Sequence, residues 1–166
     1  MMDIQAYLDS QQELSNLYAQ QKYGEAWKLL EKMLADYPYS IDLLVKQAKI
    51  IQLLDTEHIS DTPSLDMAEE SLQLSHVLDP DAIDPCLELG NFEYAVRDRP
   101  ESAIKYFESA KIQAELKLKL ATIGLIKCYI DLGKISHARQ TLETAKIWLA
   151  NDSDLGVIEF ELEEYE

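Results

Sequence analysis

The chain has 166 residues, 47% of them hydrophobic, which is enough to bury a core of its own. Its 31 acidic against 15 basic residues give a net charge of −16, a surface that repels nucleic acid and anionic lipid. Cys86 and Cys128 are the only cysteines, too few and too far apart for a disulfide framework or a zinc site, and both are expected as small core residues.

Residues 3–20 read as a first helix, with Tyr7, Leu14 and Leu17 on one face. Gln20 to Gly24 form a turn. A second helix spans 24–36, with Ala26, Leu30 and Met33 on one face at spacings of four and three. Pro38 stops it, because proline cannot continue a helix. Ser40 is the expected N-cap of a helix over 41–54, packed through Leu44, Ala48 and Ile51. The polar stretch 55–63 reads as an inserted surface loop, with Thr62 and Pro63 opening a helix over 63–78. Asp84 and Pro85 open a helix that runs to about Arg97, and 98–100 form a turn.

A helix over 100–112 carries Ala103, Phe107 and Ala110. Another, over 117–131, ends at Gly133 in a C-cap role. Between them no proline or glycine separates Ala110 from Leu120. A tight turn near 113–116 and a partial fusion of the two helices are both compatible with those residues. A helix over 135–149 and a short terminal helix over 154–164 complete the chain. Leu155, Ile158, Leu162 and Tyr165 of the last segment space as one stripe.

The alanine-led stripe recurs. Ala26, Leu30, Met33 is followed by Ala68, Leu72, Ser75, then Ala103, Phe107, Ala110, then Ala138, Leu142, Ala145, with alanine-to-alanine intervals of 42, 35 and 35 residues. Leu89-Gly90, Tyr129, Pro38 and Pro80 stand at further repeat positions. In these residues the chain resembles the tetratricopeptide-repeat (TPR) family, whose unit is a helix pair of about 34 residues. The departures are Glu115 and Ala150 at the later proline positions, and Leu14, Ala48 and Ile126 at the glycine position.

The resemblance implies an all-α fold, a right-handed α-α superhelix. It has four helix-turn-helix repeats, approximately 7–38, 41–80, 83–115 and 118–150, plus a capping helix over 154–164, in one domain spanning 1–166. Each pair has an apolar face that it cannot hide alone, so neighbours stack and the last pair needs a cap.

Little in the sequence carries chemistry. His58, His76 and His137 are isolated from one another, and no HExxH, CxxC or glycine-rich phosphate loop occurs. Catalytic residues, cofactors and metals are therefore not expected. By register with the repeat, a concave groove would be lined by Gln11, Ser15 and Tyr18, then Val45, Lys49, Gln52 and Leu53, then Leu87, Asn91 and Tyr94, then Ile123, Lys127 and Ile130. That lining suits an apolar or helical peptide segment.

Three functions follow. An adaptor or chaperone would hold a partner peptide or protein in the groove. An acidic cognate inhibitor, such as an immunity protein, would neutralise a basic toxin or nuclease. A structural subunit would use end-to-end repeat contacts. Protein partners are expected in each case, and neither nucleic acid nor membrane. The first residues lack the basic and apolar regions of a signal peptide, and no apolar run approaches the roughly 20 residues of a membrane span. A cytoplasmic location is expected.

Overall fold

The computed structural model describes residues 4–54, 63–149 and 152–165. The loop expected at 55–62 lies outside them, as does His58. Among the described residues the fold is all-α, with no strand. Its helices are α1 (Ile4–Ala19), α2 (Tyr23–Asp36), α3 (Ile41–Leu53), α4 (Leu65–Leu78), α5 (Ile83–Asn91), α6 (Pro100–Asp131), α7 (Ile135–Trp148) and α8 (Ser153–Glu163). A π-helical segment, Phe92–Val96, continues α5.

Local chemistry explains most boundaries. Ser40 caps α3, its hydroxyl facing the Leu43 N–H. Gly133 takes φ +68°, and the Gly133 and Lys134 N–H groups donate to Ile130 O and Tyr129 O, each at 2.8 Å. These are the paired bonds of a Schellman ending. α1 ends the same way without glycine. Gln21 takes φ +59°, and Lys22 N–H reaches Leu17 O at 2.9 Å.

Two starts differ from expectation. The cap of α4 is Ser64, which accepts from Met67 N–H at 3.2 Å, while Pro63 lies buried ahead of the helix. Helix α5 begins at Ile83 without a side-chain cap. Its Pro85 sits in the first turn, where a missing N–H breaks no intrahelical bond.

The sequence left residues 113–116 open between a turn and a fusion. In the structure α6 runs unbroken for 32 residues. Gln113, Ala114, Glu115 and Leu116 are all adequate helix formers, and propagating a helix is locally easier than breaking it.

Residues 1–166 were expected to form one domain. The chain divides into two compact units, Met1–Lys111 and Ile112–Glu166. The first has two buried clusters. One joins Leu14 of α1, Ala26, Leu30 and Met33 of α2, and Leu43 and Ile50 of α3. The other joins Val45, Ala48 and Ile51 of α3, Ala68 and Leu72 of α4, Leu89 of α5 and Phe92. Helix α3 thus serves both clusters from opposite sides, and Trp27 packs against both.

Gly90 has a steric reason. A Cβ there would lie 2.7 Å from the Phe107 ring, so only glycine allows α5 to approach this closely. In the second unit, Ile126 of α6, Ala138, Leu142 and Ala145 of α7, and Leu155, Ile158 and Leu162 of α8 form one cluster. Tyr165 does not join it and is 56% exposed, because α8 ends at Glu163 and the helical spacing ends with it. Cys86 is buried as expected, whereas Cys128 is exposed.

Candidate partner-binding cleft

In the first unit, α1 and α3 lie side by side and leave an open cleft of about 270 Å³. Its lining is Leu14, Ser15 and Tyr18 from α1, with Lys46, Lys49 and Ile50 from α3. The helical period makes this lining. Leu14 and Tyr18 are four apart, as are Lys46 and Ile50, so each helix presents one side to the cleft. Leu14 and Ile50 are almost fully buried and belong to the floor, while Tyr18 is 41% exposed and stands at the edge. Tyr18 is held edge-on against Tyr23, ring centroids 5.7 Å apart.

The rim is polar and internally paired. Lys46 Nζ lies 2.8 Å from Asp42 and donates to Gln11 Oε1 at 2.7 Å. The Gln11 amide in turn donates to Asp42 Oδ2 at 3.0 Å and to the Tyr7 hydroxyl at 2.7 Å. Lys49 pairs with Glu88 of α5 at 2.7 Å and so links α3 to the next helix along this face. The cleft therefore offers an apolar floor, one aromatic wall and two lysines. Both lysines already have carboxylate partners, so a bound acidic group would have to share or displace them.

The thirteen sequence-derived groove residues separate into distinct environments. Ser15, Tyr18 and Lys49 line the cleft, and Gln11 sits in its rim network. Val45 is 7% exposed inside the second core cluster and presents little surface. Gln52 is exposed, its amide donating to Ala48 O at 3.1 Å. Leu53, Leu87, Asn91 and Tyr94 are exposed on α3, α5 and the π-helical segment, with Tyr94 at 63%. In the second unit, Ile123 and Ile130 pack partly buried against that unit's core, while Lys127 is exposed.

Sequence reading missed Leu14, Lys46 and Ile50 as lining residues. Lys46 was findable, since it falls three residues before Lys49 on the same helical side. Leu14 and Ile50 were hidden by their apolar character, which reads as core in either case.

Two other clusters fall outside the cleft. An ionic network joins Arg97 to Asp66 and, at 2.7 Å, to Glu69, and joins Arg99 to Glu69 at 3.2 Å and to Glu93 at 3.0 Å. Glu93 is 4% exposed. Its Oε2 is close enough to Arg99 for charge pairing but lacks a hydrogen bond of good angle. The π-helical turn places it there. Arg97 N–H bonds to Phe92 O five residues back, and Asp98 then takes φ +52°. This network ties α4 to the end of α5.

The second cluster is a thiol–imidazole contact. Cys86 Sγ lies 3.5 Å from His76 Nδ1, but the cysteine is fully buried and out of reach of a substrate. Among the described residues no three His, Cys, Asp or Glu side chains are grouped to hold a metal ion. No helix among them is long and apolar enough to cross a membrane.

No family model matches the chain, and no curated protein matches it.

Proposed function

We propose that this chain is a tetratricopeptide-like repeat protein that holds a segment of a partner protein, without catalysis, on the α1–α3–α5 face of its first unit. The cleft between α1 and α3 carries this reading, because it combines an apolar floor, an aromatic wall and a lysine rim. The exposed Leu53, Leu87 and Tyr94 extend the apolar character of these helices beyond it. A helical or extended peptide with an apolar anchor and an acidic flank matches that chemistry.

The repeat reading is supported by the four alanine-led stripes. Ala26, Ala68, Ala103 and Ala138 are all at most 2% exposed. Small buried side chains at those positions let paired helices approach.

The test is capture of a partner from the native host by wild-type protein and by Tyr18→Ala combined with Lys49→Ala. Tyr18 and Lys49 are both partly exposed, so the double variant should keep its fold and lose the partner. Capture through an apolar anchor should persist as salt is raised. Capture that is unchanged in the double variant but lost steeply with salt would replace this reading with that of an acidic inhibitor of a basic protein.

A further inference from the structure

Helix α8 closes the second unit with one face and leaves the opposite face bare. Leu155, Ile158 and Leu162 are almost fully buried, whereas Val157 is 59% exposed and Phe160 67%. Helical spacing places Val157 and Phe160, with Glu161 and Glu164, on the side away from the buried stripe. Glu161 stands four residues after Val157, and Glu164 four after Phe160. The bare face is therefore an apolar pair followed one turn on by an acidic pair. A helix that only closes a repeat stack carries a polar outer face, so capping does not account for Val157 and Phe160.

The acids of this segment divide by role. Asp152 and Asp154 pair with Lys119, and Glu159 pairs with Lys146, which fastens α8 and its cap to α6 and α7. Glu161, Glu163 and Glu164 have no side-chain partner among the described residues. They occupy the last turn and the C-cap of α8, where no basic residue stands. Carboxylates there oppose the negative end of the helix dipole, and Glu161 and Glu164, three apart, repel one another. Glu163 also lines a groove of about 260 Å³ between α7 and α8, with Glu143 and Glu159. Arg139 in the same groove donates to Leu162 O at 3.1 Å. A cationic group set against this end relieves both costs.

We propose that the outer face of α8 binds a basic amphipathic helix of a partner protein. The apolar side chains of that helix cover Val157 and Phe160, and its lysines or arginines meet Glu161, Glu163 and Glu164. Charge chooses this occupant. Residues 152–166 carry seven acids and no base, so the same face of a second copy is repelled and a basic helix is attracted. By contrast, the furrow of about 460 Å³ between α6 and α7, which Trp148 lines, has no charged side chain in its lining and selects no partner. Every residue of the proposed surface belongs to the second unit, and the proposal is independent of the α1–α3 cleft.

The experiment titrates the full-length chain with a synthetic leucine–lysine peptide patterned as an amphipathic helix, and with a scrambled peptide of the same composition. Calorimetry gives the affinity and backbone amide resonances give the place. The patterned peptide should bind, with the largest shifts between residues 157 and 164, and the scrambled one far more weakly. Val157→Ser combined with Phe160→Ser should weaken binding by roughly thirtyfold, the scale of a hot spot. Both side chains are exposed, so circular dichroism should be unchanged. Glu161→Gln combined with Glu164→Gln should weaken binding and flatten its salt dependence. Glu101→Gln combined with Glu108→Gln, an equal charge loss at exposed positions of the first unit, should do neither.

Tyr18→Ala combined with Lys49→Ala should bind the peptide as wild type does, so this proposal and the cleft reading fail separately. Absence of binding overturns the proposal, as do equal binding of the two peptides, equal effects of the two glutamine variants, or shifts centred on α1 and α3. A wild-type dimer in light scattering that the Val157/Phe160 variant dissolves also overturns it, because a second copy then covers the face.

Discussion

The two units bury their helices by different means. In the first, α3 lies between two clusters and contributes Leu43 and Ile50 to one, Val45, Ala48 and Ile51 to the other. In the second, one cluster is closed by α8, which supplies Leu155, Ile158 and Leu162 to cover Ala138, Leu142 and Ala145. The ion pairs follow the same division. In the first unit Arg97 and Arg99 tie α4 to the end of α5. In the second, Lys119 binds Asp152 at 2.8 Å and Asp154 at 2.6 Å, and Lys146 binds Glu159. All three of these carboxylates lie on α8 or at its cap. Helix α3, with neighbours on two sides, contributes core residues to both clusters, and its Lys49–Glu88 pair adds to that packing. A terminal helix pair needs a dedicated cover, here fastened by charge as well as by an apolar stripe.

Removing residues 155–166 is the largest expected break in this comparison. It takes three almost fully buried side chains from the second unit's single cluster, each worth about 1.5–3 kcal/mol. The second unit should lose cooperative folding, bind an apolar dye and aggregate. Hydrogen exchange in α1–α4 should stay slow. If α1–α4 lose protection equally, the two units are one cooperative block and the comparison fails.

Ala103→Glu attacks the first unit. Ala103 is 2% exposed, so the carboxylate would be buried without a partner, at a cost of about 3–5 kcal/mol. Denaturant unfolding should show that loss. An unchanged midpoint would mean that Ala103 is not at a helix crossing and would remove the repeat register built on it.

The smallest effect concerns the fastening of α8. The hydrogen bond from Lys119, ahead of burial and backbone contacts, holds the Asp152 carboxyl below its ordinary value. A carboxyl whose folded value is depressed stabilises the fold above its unfolded value, and that contribution is lost as pH falls through the folded one. Asp152→Asn keeps the N-cap chemistry but removes the charge. The variant should melt slightly below wild type near neutral pH, and the difference should begin to shrink below about pH 4 and close only below the depressed folded value. A difference that persists at acid pH would mean that the cap geometry, and not the charge pair, secures α8.

Much of this was legible from spacing. The stripe Ala26, Leu30, Met33 and its recurrences are buried almost without exception, because side chains three and four apart share a helix face whatever surrounds them. Gly133 ends α6 as its lack of a Cβ allows. The Leu155, Ile158, Leu162 stripe of α8 covers α7 as its period required. The candidate site was less legible. Tyr18 and Val45 both look apolar in sequence, yet one stands at the cleft edge and the other is buried in the core. Periodicity gives the direction of a side chain from its own helix and says nothing of how near the next helix comes.

What the sequence determined by itself is local: where helices form, which stripe of each is apolar, where a capping serine starts one and where a glycine stops one. Those properties depend on dihedral preference, side-chain spacing and unpaired backbone groups within a few residues. Only the tertiary structure decided that α6 runs on through residues 113–116, that Gly90 is pressed against Phe107, that Cys128 faces outward while Cys86 is enclosed, and that Trp148 lines a furrow. The last three of these outcomes turn on atoms distant in sequence; the first turns on whether contacts between helices outweigh a local helix preference. A turn at 113–116 would gain nothing locally from residues that already favour a helix, and could be repaid only by contacts between helices.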